Sequence, residues 1–173
     1  LMAAFPNARL FLMYGLTEAF RSTYLDPDLI EIRPDSIGQA VPGEEVLIVN
    51  EAGEKCAAGE AGELVHSGRL VSAGYGRDEV RTTRRFKTAP VASRFHGTEQ
   101  LSVYSGDKAR YDEDGFIYFI GRDDEMIKTS GYRVSPTEIE EIAVACDGVG
   151  QAFACGIEDE RLGQAIVLVL EPK

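Results

Sequence analysis

The chain is organised around residues 104–141, which read YSGDKARYDEDGFIYFIGRDDEMIKTSGYRVSPTEIEE. Two turn signals divide this stretch, DEDG at 112–115 and TSG at 129–131, and both contain the Gly, Asx or hydroxyl residues of tight turns. Apolar or aromatic segments flank each turn. The pattern therefore predicts two consecutive hairpin-like pieces.

A helix start follows the second turn. The sequence SPTE at 135–138 fits a capping box, in which the Ser135 oxygen accepts from the backbone N–H of Glu138 and the Glu138 carboxylate reaches back. Pro136 stands where a missing N–H costs nothing. Gly148 is a suitable end for this helix. Apolar residues recur with helical spacing and predict one buried face, made of Ile139, Ile142, Ala143 and Cys146.

Short strands are predicted on either side of this stretch. Residues 9–14 (RLFLMY) predict a buried strand that runs into a GLTE turn, and residues 19–37 are loop-like. Between 45 and 66, short strands alternate with Gly-rich turns, which suggests a small twisted sheet or partial barrel. After the helix, residues 152–157 and 164–170 predict two more buried strands.

The composition is that of a soluble globular protein. Of its 173 residues, 44% are hydrophobic and 27% charged. This length allows one ordinary domain or one and a half small ones. A net charge of −11 argues against nucleic-acid binding, because phosphate contacts need a basic surface. No apolar run approaches the length of a membrane span, and no signal-peptide pattern opens the chain.

The cysteines and histidines show no metal or catalytic pattern. Three cysteines without a CxxC motif predict reduced thiols in a cytoplasmic setting, with Cys146 and Cys155 in the core. Neither His66 nor His96 belongs to a constellation of a nucleophile and a carboxylate, so both are expected to be structural or exposed.

Asp107 and Arg122 are the polar residues best placed to bind a ligand. Asp107 follows Ser105-Gly106, where the backbone can approach a ligand closely, and Arg122 ends a buried-looking strand. A carboxylate accepts two hydroxyls well, and a guanidinium donates in a fork, so together they suit a ribose diol. Spacing alone favours the other interpretation, an ordinary Asp–Arg surface pair with turn residues.

A family resemblance rests on four motifs. Three segments are similar to the hinge motif of the AMP-forming acyl-CoA synthetases, namely GRDDEMIK at 121–128, GYRV at 131–134 and PTEIE at 136–140. That family includes luciferases and the adenylation domains of peptide synthetases. Three further motifs occur in the expected order: YGLTE at 14–18, GEL at 62–64 with Gly68 and Gly74-Tyr75, and YSGD at 104–107, where Ser105 replaces the usual Thr. Together they cover roughly residues 10–170.

The resemblance implies an α+β fold in two parts. Residues 1–123 would be the C-terminal portion of the large AMP-binding lobe, with a β-rich, barrel-like third subdomain. Residues 124–173 would begin a small α/β C-terminal lobe that is incomplete here. Leu1 is not an initiator methionine, and the family's phosphate loop and later lysine motif do not occur. We therefore expect a piece of a longer enzyme, inactive by itself.

The resemblance also implies roles at the nucleotide. In the YGLTE motif, Tyr14 would lie against the adenine with Gly15 beside it, Thr17 would bind the α-phosphate, and Glu18 would help to hold Mg²⁺. The ribose would be held by Asp107 and Arg122.

Other positions match the second half of the family's cycle. Asp124 aligns with the hinge residue that lets the small lobe rotate. Gly131 has no side chain, so the pantetheine arm of coenzyme A could pass it. Lys128 aligns with a lysine that some relatives use near the adenylate, although a solvent-exposed strand lysine fits equally.

The reaction implied is a two-step ligation. A small-molecule carboxylic acid and ATP would give an acyl-adenylate, with AMP then displaced by the thiol of coenzyme A. An acyl-CoA ligase is favoured over a peptide-synthetase adenylation domain because a proline just before the helix, here Pro136, is more usual in CoA ligases. The alternative from a different class is a non-catalytic module for nucleotide binding or assembly. Truncation would also expose unpaired strands and apolar faces, and a homodimer through these edges is then expected.

One basic segment lies within this acidic chain. Its cations are either a solvated surface or a contact for the phosphates of coenzyme A or for a carrier protein. They are Arg77, Arg81, Arg84, Arg85, Lys87 and Arg94.

Overall fold

The computed structural model describes residues 2–122 and 126–173. The chain divides into two compact units, which we describe separately. The first comprises Leu1–Ser105 and Ala109–Phe119, and the second comprises Gly106–Lys108 and Ile120–Lys173.

The first unit is built mainly on one sheet. Its helix is α1 (Glu79–Arg85), and a 3-10 turn covers Pro27–Leu29. The strands are β1 (Leu12–Leu16), β2 (Ala19–Leu25), β3 (Ser36–Ala40), β4 (Glu45–Val49), β5 (Gly62–Ser67), β6 (Phe86–Thr88), β7 (Leu101–Tyr111) and β8 (Ile117–Arg122). They run in the order β1-β2-β3-β8-β7-β5-β4, with β6 on β7, and residues 106–108 of β7 and 120–122 of β8 belong to the second unit.

The sheet confirms the β-rich prediction and refines its barrel-like part. Among the residues described, the order begins at β1 and ends at β4, so the sheet is open rather than a closed barrel. Its main core combines side chains of β4, β5 and β8, including Ile48, Leu64 and Ile117, each at most 2% exposed. Burying each such side chain stabilises the fold by roughly 1.5–3 kcal/mol.

Two strand predictions near the N-terminus are wrong. β1 lies at the edge of the sheet, and Leu12 and Met13 are 39% and 41% exposed, so it is not a buried strand. The segment interpreted as loop-like contains β2, which pairs with both β1 and β3. The prolines and aspartates of that segment all follow β2, so they marked its end rather than its absence.

The second unit packs one helix against a four-stranded sheet of order β10-β9-β12-β11. Glu140 on the helix accepts a hydrogen bond from Ala154 N of β11 at 2.8 Å. The elements are β9 (Ile127–Thr129), β10 (Tyr132–Val134), α2 (Pro136–Val144), β11 (Val149–Asp159) and β12 (Gly163–Pro172).

The predicted turn at 129–131 and the predicted helix start at 135–138 are both present in this unit. Ser130 and Gly131 have φ of 51° and 83°, the left-handed geometry of a tight hairpin turn between β9 and β10. α2 begins at Pro136, and the Ser135 hydroxyl accepts from Glu138 N at 3.4 Å while donating to Ile120 O at 2.7 Å. The predicted helix start is confirmed.

The predicted apolar face of α2 is only partly correct. Ala143 is buried, but Ile142 is 65% exposed, because it lies about 200° around the helix from Glu140, which faces β11. Cys146 is exposed and lies beyond the helix end, and Cys155 is half-buried, so neither is a core residue. The buried cysteine is Cys56, at 4% exposure.

β11 and β12 confirm the last two predicted strands, but not their burial. Phe153 and Val169 face each other in the register and are 60% and 57% exposed. No helix in the described part of the chain has the length and apolarity to cross a bilayer.

A close approach between β2 and β3 requires glycine at position 38. Gly38 has φ of 85°, and a Cβ there would lie 1.9 Å from the carbonyl oxygen of Tyr24. Ser36 fixes this irregularity, since its hydroxyl accepts from Gly38 N at 3.0 Å and donates to Ile117 O at 2.9 Å. Glycine is needed here for both conformation and space.

We predict that Gly38→Ala destabilises the protein by on the order of 4 kcal/mol or more, because the methyl group would push two paired strands apart. Gly43→Ala is the matched control. Gly43 has φ of 92° but open space around its Cβ position. It should lose only the conformational term, about 1–2 kcal/mol. Free energies of unfolding from urea titration test this, and equal losses would contradict the steric argument.

Candidate functional site

In the first unit, the YGLTE motif forms the end of β1 and the turn into β2. The register shifts between Tyr14 and Leu16, and a Cβ at Gly15 would lie 2.7 Å from Arg21 N, so only glycine fits this irregular turn. Thr17 is exposed and Glu18 half-buried. The turn therefore presents a hydroxyl and a carboxylate at the surface of this unit.

Tyr14 is the aromatic residue of this motif. It is half-buried against the main core, and its ring lies 6.3 Å from the Phe119 ring in a tilted arrangement. Packing of this kind holds an aromatic side chain in one orientation.

One segment, residues 71–75, holds Glu18 at both its backbone and its side chain. Ser72 N donates to the Glu18 carbonyl oxygen at 2.8 Å, and Val71 forms a β-bridge with Ala19. The Tyr75 hydroxyl donates to Glu18 Oε1. The carboxylate is therefore oriented by a residue 57 positions away in sequence.

Tyr75 is itself held on several sides. Its ring meets Phe86 edge-on at 5.6 Å, and the Arg81 guanidinium lies 4.4 Å from the ring centroid. Its backbone N–H donates to Thr82 Oγ1 at 2.9 Å. Burial, together with the bond to Glu18, raises the pKa of the Tyr75 phenol, so the phenol stays protonated and donates. Sequence reasoning placed Tyr75 in a motif but assigned it no role.

A buried network fixes the loop that leads into this segment. The Glu44 carboxylate accepts from His66 Nε2 at 2.9 Å, from Arg69 N at 3.0 Å and from Leu70 N at 3.2 Å. His66 Nδ1 lies 2.8 Å from the Ser22 hydroxyl. Serine, histidine and glutamate thus form a line, but Ser22 and His66 have no exposed surface. The network is structural, which agrees with the expectation for His66.

The network leaves no room for a side chain at position 68. Gly68 has φ of 149°, and a Cβ there would lie 2.0 Å from Glu44 Oε2.

Burial lowers the pKa of His66 and outweighs the opposing effect of Glu44. His66 is therefore neutral near pH 7, with its proton on Nε2 facing the carboxylate.

In the second unit, Asp107 and Arg122 lie on neighbouring strands and face each other. Asp107 is 6% exposed, and its Oδ1 lies 3.4 Å from Arg122 Nη1. The Arg122 side chain is 39% exposed. Gly106 has φ of 75° within β7, a left-handed conformation that glycine adopts without strain. The pair combines a sheltered acceptor with an accessible donor.

The end of β8, just before Arg122, is held from the helix side. A Cβ at Gly121 would lie 2.9 Å from Ser135 Oγ, so the helix cap packs directly on the residue before Arg122. The Ser135 hydroxyl also donates to the carbonyl of Ile120. The capping serine therefore ties the end of β8 to α2.

Four of the six cations in the basic segment have contacts within their own unit. Arg81 lies over Tyr75, Arg85 donates to Tyr104 O at 3.2 Å, and Lys87 lies 4.6 Å from the Tyr104 ring. Arg94 donates to the carbonyls of Gly43 and Glu44. These contacts favour a supporting surface over a dedicated phosphate site.

Comparisons with known proteins agree with the motifs. The profile of AMP-binding enzymes matches residues 1–76. A long-chain-fatty-acid–CoA ligase of Salmonella typhimurium is 33% identical over 160 residues, which is 92% of this chain and 26% of that protein. A delta-poly-L-ornithine synthetase of Acinetobacter baumannii is 34% identical over 168 residues, 96% of this chain and 12% of that protein.

A solved structure shows the same fold. The o-succinylbenzoate CoA synthetase of Bacillus subtilis, in complex with its acyl-adenylate intermediate, superposes with a TM-score of 0.80. It is 25% identical to this chain, and the match covers 92% of this chain and 31% of that one. By sequence and by fold, the chain is similar to AMP-binding enzymes and to acyl-CoA ligases. It spans only about a quarter of the length of the Salmonella ligase.

The remaining motif residues lie in the second unit. Lys128 is exposed on β9, where its backbone N–H donates to Gln164 Oε1 at 2.6 Å. Gly131 is exposed, with open space around its Cβ position. The predicted hinge residue, Asp124, lies outside the described residues.

Glu18 suits a metal held mainly by phosphate. Among residues 2–122 and 126–173, no three His, Cys, Asp or Glu side chains gather to hold an ion. The partner of the Glu18 carboxylate, Tyr75, is a neutral donor, which leaves the negative charge intact. Magnesium bound through one carboxylate and substrate phosphates fits such a site.

We predict that His66 makes the stability of the protein fall in weak acid. Its folded-state pKa lies below the ordinary value of about 6.5, so below that pH the unfolded chain takes up a proton that the folded protein does not. The free energy of unfolding should fall as pH drops from 7 to 5.5, with a slope of at most about 1.4 kcal/mol per pH unit from this group.

His66→Gln is the matched variant, because an amide can occupy the same buried position without titrating. Urea unfolding at pH 8, 7, 6 and 5.5 should give a shallower pH dependence for the variant. A variant with the slope of the original protein, or stability that rises in acid, would refute the assignment.

Proposed function

We propose that this chain carries the ribose-binding and hinge region of an AMP-forming acid–thiol ligase, which joins a carboxylic acid to coenzyme A with ATP. The observation that supports this most directly is the buried Asp107 carboxylate, 3.4 Å from the Arg122 guanidinium. These are the two positions that align with the ribose ligands of the family. Residues 1–123 then belong to the large lobe and residues 124–173 to the small one.

Asp107 and Arg122 would hold the nucleotide through its sugar. A carboxylate that is largely removed from water accepts hydroxyl hydrogen bonds strongly, because water does not compete for its oxygens. Arg122 pairs with the carboxylate and has further N–H donors for the ribose. Fixing the sugar aims the α-phosphate at the attacking acid, and orientation supplies a large share of the barrier reduction.

At the YGLTE turn, Thr17 would donate to the α-phosphate and Glu18 would bind Mg²⁺. A bound Mg²⁺ neutralises charge on the phosphates and polarises the phosphorus for attack. Tyr14 would face the adenine, and Gly15 would let the ring approach the backbone. The exposed Thr17 hydroxyl and the oriented Glu18 carboxylate support these roles.

The proposed reaction has two steps. In the first, a carboxylate oxygen of the acid bonds to the α-phosphorus of ATP, the bond from the α-phosphorus to the bridging oxygen breaks, and pyrophosphate leaves. In the second, the thiol sulfur of coenzyme A bonds to the acyl carbon, loses its proton, and AMP leaves with the oxygen of the former carboxylate. The thioester and AMP are the products.

The second step would use the other motif residues. Asp124 would absorb the rotation of the small lobe, and the bare Gly131 turn would let the pantetheine arm pass. Lys128, whose side chain is exposed on β9, would contact the adenylate. We also propose a cytoplasmic location, in keeping with three cysteines that form no disulfide. Self-association stays a prediction.

Transfer to a carrier-bound thiol is the second candidate. The observation that favours it is the 34% identity to a delta-poly-L-ornithine synthetase, whose name indicates that it joins amino acids, as peptide synthetases do. Release of AMP that requires free coenzyme A favours the first candidate. Adenylate formation without any transfer to coenzyme A favours the second, and nucleotide binding without adenylate formation would indicate a non-catalytic module.

We predict that Asp107→Ala in the full-length protein weakens AMP binding about 10- to 100-fold, because hydrogen bonds to a charged acceptor contribute about 1.5–3 kcal/mol. Isothermal titration with 2′,3′-dideoxy-AMP should show a much smaller difference between variant and original protein, because that ligand lacks both hydroxyls. The matched control is Asp112→Ala, which breaks a different Asp–Arg pair, with Arg33. Equal weakening for AMP and its dideoxy analogue would contradict the ribose assignment.

A further prediction concerns the hinge. Asp124→Pro in the full-length protein should leave ATP–pyrophosphate exchange within about twofold and lower thioester formation at least tenfold, because Pro restricts φ at the rotating position. The two half-reactions are measured by exchange of labelled pyrophosphate and by loss of free coenzyme A thiol. Parallel loss of both would remove the case for a hinge at this position.

A further inference from the structure

Residues 71–75 contact Glu18 at both its backbone and its side chain. Ser72 N donates to its carbonyl, and the Tyr75 hydroxyl donates to its carboxylate. The bridge between Ala19 and Val71 adds a third tie immediately beside it. Residues 71–75 therefore hold both the backbone of Glu18 and the direction of its carboxylate.

The phenol that makes this contact has little freedom. The edge-on packing with Phe86, the guanidinium of Arg81 over the ring and the backbone bond to Thr82 restrain both ring and main chain. Gly74 keeps the turn tight, because a Cβ there would lie 2.6 Å from the Thr82 methyl group. A donor restrained in this way holds its acceptor in one direction.

The type of donor distinguishes this contact from the ion pairs of the same unit. Arg33 binds the carboxylates of Asp112 and Asp114 and supplies a compensating positive charge. Tyr75 is neutral and orients Glu18 without cancelling its charge. A cation in its place would oppose a divalent ion near the same carboxylate, since like charges repel at short range.

We propose that Tyr75 is a positioning residue, which aims the Glu18 carboxylate at the metal ion of a bound nucleotide while leaving its charge available. This inference rests on the proposed function, because it takes Glu18 as the ligand of the nucleotide-bound ion. Tyr75 acts through Glu18 and contacts neither nucleotide nor metal. Arg81, from the basic segment, gains a role as the support of the Tyr75 ring.

The test compares Tyr75→Phe with the original full-length protein. The variant keeps the ring and its packing and removes only the hydroxyl. Binding of ATP is measured by titration calorimetry in EDTA and with saturating Mn²⁺, and binding of Mn²⁺ to the ATP complex is followed by electron paramagnetic resonance. We expect Mn²⁺ binding to weaken about 10-fold, the lower end of the loss when a residue that orients a metal ligand is removed, with ATP binding in EDTA unchanged.

Two further variants isolate the pathway. Glu18→Gln removes the charge, and adding Tyr75→Phe to it should cause no additional loss of Mn²⁺ binding, because Tyr75 acts only through Glu18. Tyr118→Phe is the matched control. It removes another tyrosine hydroxyl that donates to a carboxylate, that of Asp112, and should leave Mn²⁺ binding unchanged.

The outcomes separate the two proposals. Unchanged Mn²⁺ binding in Tyr75→Phe, equal loss with and without metal, or additive losses in the double variant would overturn the positioning role. Failure of the original protein to form any adenylate, with Mn²⁺–ATP binding retained and sensitive to Tyr75, would overturn the ligase function but support the positioning role.

Discussion

A carboxylate that leaves water must be matched by donors or by a cation, and this constraint shapes both units of the chain. Glu44 is 9% exposed and is matched by His66 and two backbone N–H groups. Asp107 is 6% exposed and lies beside Arg122. Leaving either acid without such partners would cost several kcal/mol, so the surrounding backbone is held where it can supply them.

The two acids serve different ends because their partners differ. The side-chain partner of Glu44, His66, is fully buried, and the result is a rigid support for the loop before Tyr75. Arg122 is more than one-third exposed, so the pair it forms with Asp107 remains open to a polar ligand. A sheltered acceptor next to an accessible donor is the arrangement on which the proposed ribose site rests.

Features encoded by neighbouring residues could be predicted from the sequence. The SPTE cap, the TSG turn and the pairing of Asp107 with Arg122 depend on local signals or recognised motifs, and the structure has each of them. The contacts of Glu18 with Tyr75 and of Glu44 with His66 could not be predicted, because they join residues 57 and 22 positions apart. Such contacts depend on strand order and register, which no local pattern specifies. The prediction that Ile142 is buried was wrong for a similar reason, because contact with β11 determines which side of α2 packs inward.

The position of Cys146 has a practical consequence. It lies exposed just beyond the end of α2, whereas Cys56 is enclosed in the core and Cys155 is partly covered. A thiol-selective fluorophore added in limiting amounts would therefore react first at Cys146. The natural sequence thus provides a labelling position for optical measurements near this helix without any engineered cysteine.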